Sequence, residues 1–397
     1  MLRVESTKFR PGMTLALPVM HPQTPTQTLL RTGYTLNEAA VQRLRDLRVR
    51  VIWAQAPGME ALEKHIHPEV MAAQSAVFTQ IAGAFESAQR TTSPKLPIDT
   101  YTNTVTDLVK RCLEHPAAAM FVGDLHDAGD DQLRHASGVA YLSLLMGMKL
   151  EGYLVKSRRH VPPGRAKEVK NLGVGAMLHD IGVTQLDADA RDAYLKLGDD
   201  EHEGWRQHPA LGYAMVRGQI DPTAANVVLH HHQRADGTGY TGGDHGTLSG
   251  ESIHIYARIA AVADQFDRLR RAPGLPEQPV AFALHAMMMP AMRQRFDPTV
   301  IEALLRVVPP FAPGSRLLLS DGTAAVAIEP HDDAPCRPTI QVVESLDLLD
   351  DPDAELNGPM IDLREEPATR YVRRCNGHEV GAYLFELPKD ETVIRAA

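Results

Sequence analysis

The N-terminal part of the chain alternates short apolar runs with turn residues. RPGMTLALPV and LLRTGYTL have the spacing of strands, residues 37–47 carry apolar positions at helical spacing, and VRVIWAQ returns to the strand pattern. Residues 1–57 are therefore predicted to form a small β-rich domain with one helix. This segment holds no cluster of titratable residues, which favours a structural cap or a partner-contact module over a catalytic domain.

The middle of the chain has a helical pattern almost throughout. Residues 58–118 include MAAQSAVFTQIAGAFESA and a break rich in Thr, Ser and Pro at 91–97, and they are predicted to be a helical connector. The helices of this connector are candidates for contacts in a homodimer. Helical spacing continues from residue 119 to about residue 292, where nearly all the suggestive histidines lie. This region is the candidate catalytic region.

The C-terminal part changes pattern again. FDPTVIEALLRVV predicts a helix, GSRLLLSDGTAAVAIEP predicts a β-hairpin that turns at Asp321 and Gly322, and TIQVVESLD is a candidate third strand. The acidic run DLLDDPDAE and weak patterning predict a loosely packed tail over residues 346–397. The predicted fold is mainly α, with a β-rich N-terminal unit and a C-terminal β-hairpin appendage.

Composition restricts the classes of function. The chain has 397 residues and a formal net charge of −9, which argues against binding of nucleic-acid polymers, because these favour a basic face. The three cysteines lie far apart, so neither a disulfide framework nor a thiolate metal site is indicated. No run approaches the roughly 18 to 20 apolar residues of a membrane helix, and the first residues lack the apolar core of a secretion signal. We expect a cytoplasmic protein without a membrane segment.

Two short motifs carry the strongest chemical signal. GAMLHDIG places His179 beside Asp180, and an imidazole and a carboxylate are ligands that suit divalent transition metals. A salt-bridged or capping pair explains this dipeptide equally well when it is considered alone. LHHHQRADGTGY places His231 beside His232, and side chains of adjacent helical residues diverge by about 100 degrees. Such a pair can hold one metal ion only at a helix end, unless two ions share the site.

Four further residues are candidates. His135 lies on the core-facing stripe of the helix DQLRHASGVAYLSLLMG, with Asp131 one turn before it, and His208 precedes a proline in WRQHPALG. A buried, hydrogen-bonded histidine is the ordinary interpretation of each histidine taken singly. Asp264 lies in the apolar segment IAAVAD, where it requires a partner because burying an unpaired carboxylate is costly.

In their order along the chain, these segments resemble the HD-GYP family. The resemblance covers roughly residues 119–345 and rests on RHASGVAYLSLLMG, GAMLHDIG, RQHPALG, HHQRADGTGY and ARIAAVADQFD. It implies a helical HD-domain bundle that binds two, sometimes three, iron or manganese ions and hydrolyses cyclic di-GMP to linear pGpG or GMP. The segment from RPGMTLALPV to RTGYTLNEAAVQRLRDLRV resembles the small domain that often precedes HD-GYP domains.

The resemblance also implies which residues act. The implied metal ligands are His135, His179, Asp180, His208, His231, His232 and Asp264. His179 and Asp180 form the implied catalytic centre, with Asp180 bridging the ions. Asp131 occupies the place of an acidic residue that binds a third ion in some members, which leaves a third ion open. On general chemical grounds, a pair of divalent ions can activate water as hydroxide near neutral pH and hold phosphodiester oxygens.

The sequence departs from the family pattern at a few positions. Val183 follows HDIG where the family usually has a lysine that contacts substrate phosphate, so phosphate affinity is in doubt. Thr241 replaces the proline of GYP. Arg234 is retained and is the candidate for a phosphate or guanine contact, with a structural salt bridge as the alternative. The basic segment 156–170 could steer an anionic dinucleotide or simply be a solvated loop.

Three hypotheses follow from the sequence. The first is an active cyclic-dinucleotide phosphodiesterase whose substrate is cyclic di-GMP. The second is an inactive or weakly active HD-GYP signalling module that acts through dinucleotide or protein binding, with signalling proteins as partners. The third is a metal-dependent phosphohydrolase of another nucleotide, since the HD superfamily includes such enzymes. The departure at Val183 is the main support for the second hypothesis.

Overall fold

A computed structural model describes residues 2–21, 24–120, 131–197, 201–242, 245–273 and 275–387. The chain divides into two compact units, and each joins stretches that are distant in sequence. The first unit comprises Met1–Ser75, His115–Arg134 and Val308–Leu387, and the described part of the second comprises Ala76–Glu114 and His135–Val307. These units cut across the segments predicted from the sequence, because the N-terminal and C-terminal parts pack into one unit.

The described residues form mostly helices, with strands only towards the two ends of the chain, as the predicted fold class requires. The helices are α1 (Glu38–Asp46), α2 (Pro68–Arg90), α3 (Ile98–Glu114), α4 (Asp131–Lys149), α5 (Glu151–Ser157), α6 (Pro163–Ala166), α7 (Lys170–Met177), α8 (Ala188–Leu197), α9 (His208–Val216), α10 (Pro222–His230), α11 (Ile255–Arg270), α12 (Val280–Met288), α13 (Pro290–Arg295) and α14 (Pro298–Val307). The strands are β1 (Leu2–Glu5), β2 (Val19–His21), β3 (Thr24–Leu30), β4 (Val51–Ala54), β5 (Arg316–Leu319), β6 (Ala324–Glu329), β7 (Thr339–Val342), β8 (Met360–Asp362), β9 (Val372–Cys375) and β10 (His378–Glu379).

The N-terminal part of the first unit has the predicted β-rich form with one helix. Strands β1 and β4 pair antiparallel, as do β2 and β3. Helix α1 begins after Asn37, whose side chain accepts a hydrogen bond from the backbone N–H of Ala40 at 2.8 Å. The apolar face of α1 packs with Leu15 and Ile52 in a buried core. The alternating pattern of the sequence therefore builds a small domain around one helix.

The C-terminal part of the first unit is a six-stranded antiparallel sheet with the strand order β10-β9-β5-β6-β7-β8. The predicted hairpin is β5 and β6, and it turns at Asp321 and Gly322. Gly322 has a φ of +87°, which favours glycine, and the Asp321 carboxylate accepts the backbone N–H of Thr323 at 2.9 Å. The predicted third strand is β7.

Residues 346–387 differ from the loosely packed tail predicted for 346–397. They supply strands β8, β9 and β10 of the sheet, and Leu349 and Val372 are buried. The acidic run misleads because one of its carboxylates is buried in ion pairs with distant residues: Asp350 lies 2.5 Å from the Arg316 guanidinium and 2.8 Å from the Lys8 ammonium. Residues 388–397 of the predicted tail lie outside the described residues.

The second unit is helical, and its most buried element is α11, which carries thirteen buried residues. Helix α10 packs against α7 and α9, and α11 packs against α7 and α10. The segment Ile181–Gln185 packs on α9, and this requires glycine at position 182, because a Cβ atom there would lie 2.0 Å from the backbone oxygen of His208. Among the described residues, no helix combines the length and apolar character needed to cross a membrane.

Candidate metal centre

The helices of the second unit bring the predicted ligands to one place. His135 lies on α4, His179 and Asp180 directly follow α7, and His208 begins α9. His231 and His232 directly follow α10, and Asp264 lies on α11. The side chain of His135 is 15% exposed, and the other six residues are buried. Helix ends that meet at the side of a central helix therefore place ligands from five segments together.

Asp180 lies between two groups of histidines. Its Oδ1 atom is 3.2 Å from Nε2 of His208 and 3.4 Å from Nε2 of His231. Its Oδ2 atom is 3.5 Å from Nε2 of His179 and 3.6 Å from Nε2 of His135. The two oxygens of one carboxylate thus face different pairs of imidazole nitrogens. A carboxylate in this position can bridge two ions.

The backbone fixes the orientation of three of these imidazole rings. Each ring places Nδ1 next to the carbonyl oxygen of the residue three positions earlier, at 2.8 Å for His179, 2.7 Å for His208 and 2.9 Å for His231. A carbonyl oxygen can only accept a hydrogen bond, so Nδ1 carries the proton and donates it. In the neutral form of these rings, the Nε2 atoms therefore present lone pairs towards Asp180.

Those lone pairs are crowded together. Nε2 of His208 lies 3.2 Å from Nε2 of His231 and 3.1 Å from Nε2 of His232. Oδ1 of Asp180 is buried and has no hydrogen-bond donor. Burial lowers the pKa of His179 to about 4 and lowers the pKa of His208 and of His232, so these three rings do not supply positive charge to Asp180.

This donor set fits divalent cations. Nitrogen and carboxylate oxygen together suit borderline transition metals. The ligand atoms of Asp180, His208, His231 and His232 all lie within 4.8 Å of one another, and so do those of His135, His179 and Asp180. A cation in the group of Asp180, His208, His231 and His232 would satisfy lone pairs that otherwise repel one another. The residues therefore fit divalent metal ions, and Asp180 belongs to both groups.

His135 is held in a different way from the other histidines. Its Nδ1 atom lies 2.7 Å from Oδ2 of Asp267, and its Nε2 atom lies 3.0 Å from Oδ1 of Asp264. Burial alone would lower the pKa of His135, but the hydrogen bonds to Asp264 and Asp267 raise it to about 9. Asp267 is a functional candidate that the sequence analysis missed. Its signal was a second aspartate, three residues after Asp264, in a helix that is otherwise buried.

The GTGY loop supports His232. A Cβ atom at Gly239 would lie 2.4 Å from the backbone oxygen of His232, so this close approach requires glycine. The Tyr240 ring stacks on the His232 ring with a centroid distance of 4.7 Å, and the Tyr240 N–H donates to the His232 carbonyl at 3.1 Å. Thr241, which stands in the place of the proline, donates from its hydroxyl to the carbonyl of His245 at 2.9 Å. The loop therefore keeps its role as a support without the proline.

Arg268 is a second residue that the sequence analysis missed. It lies on α11 one turn after Asp264, and its Nε donates to Oδ1 of Asp264 at 2.7 Å. Burial alone would raise the pKa of Asp264, but Arg268 and His135 hold it well below its usual range. The signal in the sequence was an arginine four residues after an aspartate, which places the two side chains on one face of the helix.

Other predicted residues lie elsewhere. Asp131 belongs to the first unit, is exposed, and forms an ion pair with Arg134. The Arg234 guanidinium lies 5.8 Å from the centre of the Phe296 ring. In the basic segment, Arg158 donates to the backbone oxygen of Ala166 at 2.6 Å, so at least this side chain has a structural contact. The roles predicted for Asp131, Arg234 and segment 156–170 stay predictions.

Val183 lies in an apolar cluster instead of lining a polar surface. It is 5% exposed and packs with Leu186, Ala190 and Trp205, with Tyr194 at the margin. A lysine at this position would have to leave the cluster or bury its ammonium group, which is costly. The valine therefore has a packing role, and positive charge near the cluster comes from Arg268 instead.

Comparison with known proteins gives several similarities. The family model of the HD domain matches residues 159–300. Cyclic di-GMP phosphodiesterase PA4108 of Pseudomonas aeruginosa is 27% identical over 345 residues, which cover 79% of this chain and 78% of the relative. The cyclic di-GMP phosphodiesterase response regulator RpfG of Xanthomonas campestris is 36% identical over 143 residues, covering 35% of this chain and 37% of the relative. The 3'3'-cGAMP-specific phosphodiesterase 3 of Vibrio cholerae is 31% identical over 136 residues, covering 34% of this chain and 28% of the relative.

Proposed function

We propose that the chain is a member of the HD-GYP family of HD-domain proteins and that it is a metal-dependent phosphodiesterase of cyclic di-GMP. The observation that carries the proposal is the position of Asp180, whose two oxygens face two groups of imidazole nitrogens. The names of PA4108 and RpfG as cyclic di-GMP phosphodiesterases support cyclic di-GMP as the substrate, and the 3'3'-cGAMP-specific relative makes 3'3'-cGAMP the alternative dinucleotide to test.

We assign two divalent ions, iron or manganese, to this site. One group of ligands is His135, His179 and Asp180, and the other is Asp180, His208, His231 and His232. Asp264 completes the set from α11 through its contacts with His135 and with His232, whose Nδ1 lies 3.7 Å away. When bound, such ions supply the positive charge that lowers the pKa of water and offsets the charge of a phosphodiester. A third ion at Asp131 remains an alternative in this proposal.

The side chains of the protein itself prepare the site. The backbone carbonyls that accept from Nδ1 hold three imidazole rings so that Nε2 faces inwards, and Asp267 performs the same task for His135. Asp180 joins the two groups. Burial of the ligands keeps bulk water from competing with them. In this proposal Arg234 contacts a phosphate or guanine of the substrate, and the products are linear pGpG and, after a second cleavage, GMP.

The test begins with anaerobic purification of the full chain and analysis of its metal content. The protein is then incubated with cyclic di-GMP and manganese or iron(II), and products are separated by chromatography. The proposal predicts linear product with the wild-type protein and none with Asp180→Ala. The matched control is Asp297→Asn, which changes another buried aspartate of the same unit outside the ligand cluster. Equal turnover by wild type and Asp180→Ala contradicts the proposal.

A signalling module without turnover is the second candidate, and the position of Val183 favours it. Val183 packs in an apolar cluster, so position 183 offers no cationic side chain for substrate phosphate. The two candidates separate in one measurement. If the protein binds metal ions and cyclic di-GMP but releases no linear product from cyclic di-GMP or 3'3'-cGAMP, the signalling module is the better account.

A further inference from the structure

The side chain of Arg268 is fixed beside the ligand cluster. Its Nε donates to Asp264 at 2.7 Å, and its Nη1 donates to the Tyr194 hydroxyl at 2.5 Å. The side chain is 12% exposed. A guanidinium held at two of its nitrogens has a defined plane, so the direction of its third nitrogen is also defined.

Aromatic rings support the guanidinium from one side. Its central carbon lies 4.9 Å from the centre of the Tyr194 ring and 5.9 Å from that of the Trp205 ring. The two rings stack on each other with a centroid distance of 3.9 Å and an interplanar angle of 8°. Both rings belong to the apolar cluster that contains Val183. The apolar cluster that contains Val183, where the family usually has a lysine, thus supports the guanidinium of Arg268.

The third nitrogen of Arg268 has an unused hydrogen-bonding capacity. Nη2 is enclosed and has no hydrogen-bond partner. The Oδ2 atom of Asp180 lies 4.0 Å from it, which is too far for a hydrogen bond. An enclosed charged donor without an acceptor is costly, and here it lies towards the carboxylate shared by the two ligand groups. A ligand oxygen bound next to Asp180 would come within reach of this donor.

We propose that Arg268 is a substrate-binding residue that donates from Nη2 to a non-bridging oxygen of the scissile phosphodiester. This role rests on the proposed function. A phosphodiester oxygen is a charged acceptor, and hydrogen bonds between charged partners are among the stronger ones. Arg268 thereby supplies, from α11, the cationic phosphate contact that the segment after Asp180 lacks. In this proposal Arg268 on α11 provides the phosphate affinity that Val183 cannot provide.

A purely structural role for Arg268 makes different predictions. If the guanidinium only neutralises Asp264, its removal would disturb that carboxylate and lower metal affinity. If it binds phosphate, its removal would weaken binding of substrate and of inorganic phosphate while the ions stay bound. Metal content and phosphate affinity therefore separate the two roles.

The experiment compares the full-length wild type with Arg268→Lys and Arg268→Gln. The matched control is Arg258→Lys, because Arg258 lies on the same helix and pairs with Asp297 at 2.5 Å outside the ligand cluster. For each manganese-loaded protein, metal content, the kinetic constants for cyclic di-GMP and inhibition by inorganic phosphate are measured. Thermal unfolding records whether each variant folds.

The proposal predicts that Arg268→Gln raises KM and the inhibition constant of phosphate by about tenfold to a hundredfold, with metal content unchanged. Arg268→Lys should lie between wild type and Arg268→Gln, because it keeps the charge and loses the planar fork. Arg258→Lys should leave both constants within about twofold. If Arg268→Gln does not fold, Arg268→Lys carries the same comparison.

Two results would overturn this role. One is an unchanged phosphate inhibition constant in both Arg268 variants, and the other is a loss of metal that parallels the loss of phosphate binding. A separate result bears on the proposed function alone. If wild type binds inorganic phosphate through Arg268 and hydrolyses no cyclic dinucleotide, then Arg268 binds phosphate as inferred and the assigned substrate is wrong.

Discussion

Two buried carboxylates of the helical unit, Asp297 and Asp180, have opposite surroundings. Asp297 is surrounded by donors: Arg258 at 2.5 Å and the Tyr153 hydroxyl at 2.8 Å on Oδ2, and the backbone N–H of Thr299 at 3.0 Å on Oδ1. Asp180 is surrounded by imidazole nitrogens, and its Oδ1 has no donor. A buried carboxylate that the protein satisfies by itself stabilises the fold. A buried carboxylate that faces imidazole lone pairs, as Asp180 does, needs a bound cation to balance its charge.

The largest expected effect comes from removing the carboxylate that faces lone pairs. Asp180→Ala should lower hydrolysis of cyclic di-GMP by about a thousandfold or more, because the shared ligand of both ions is lost. It should also lower metal content, measured by elemental analysis of the purified protein. Stability without metal should fall less than in Asp297→Ala, since Oδ1 of Asp180 has no hydrogen-bond donor to lose. If Asp180→Ala were unfolded without metal, Asp180 would stabilise the fold as Asp297 does, and the contrast between the two carboxylates would be wrong.

The next effect concerns the satisfied carboxylate. Asp297→Ala leaves the Arg258 guanidinium buried without its partner, so the free energy of unfolding should fall by about 3 to 5 kcal/mol. Urea unfolding at fixed metal concentration measures this change. Metal content per folded molecule should stay at the wild-type value. If the variant loses metal but keeps its stability, the assignment of Asp297 as structural is wrong.

A smaller effect should follow from the residue that orients His135. Asp267→Asn keeps the size of the side chain and removes the charge that holds Nδ1 of His135 at 2.7 Å. Metal affinity should fall by about tenfold to a hundredfold, as measured by competition with a chelator of known affinity. Asp297→Asn is the matched control, and equal metal affinities of the two variants would contradict the role of Asp267.

The smallest effect is expected at Arg234, the predicted substrate contact. Arg234→Ala should raise KM for cyclic di-GMP by about threefold to tenfold and leave metal content unchanged, because one hydrogen bond to substrate is lost. Steady-state kinetics of the manganese-loaded protein measure the change. A KM equal to that of wild type would contradict a substrate contact of Arg234, whose guanidinium lies 5.8 Å from the centre of the Phe296 ring.

The sequence indicated the segments of the candidate ligands, which the fold brings together, but not the residues that surround them. His179, Asp180, His231 and His232 could be found because each pair lies within one short motif. Asp267 and Arg268 could not be assigned in the same way. Their roles depend on contacts with α4, with Tyr194 and with Trp205, which come from distant parts of the chain. Local spacing shows which residues are available, and tertiary packing decides which of them meet.

The fold shows the same limit. The helix after Asn37 and the hairpin at Asp321 and Gly322 follow local rules of capping and turns, and both were predicted. The strands of residues 346–387 were not predicted, because the segment is polar and its strands are short. The charge of Asp350 is balanced by ion pairs with Arg316 and Lys8. Lys8 lies near the other end of the chain, so local sequence could not show this pairing.

The most direct test of the account is the effect of manganese on thermal unfolding of wild type, Asp180→Ala and Asp297→Asn. Ligands that bind the folded state raise its apparent stability. We predict that manganese raises the Tm of wild type and of Asp297→Asn by similar amounts and leaves the Tm of Asp180→Ala unchanged. An equal rise in all three proteins would contradict the claim that the lone pairs around Asp180 form the cation site.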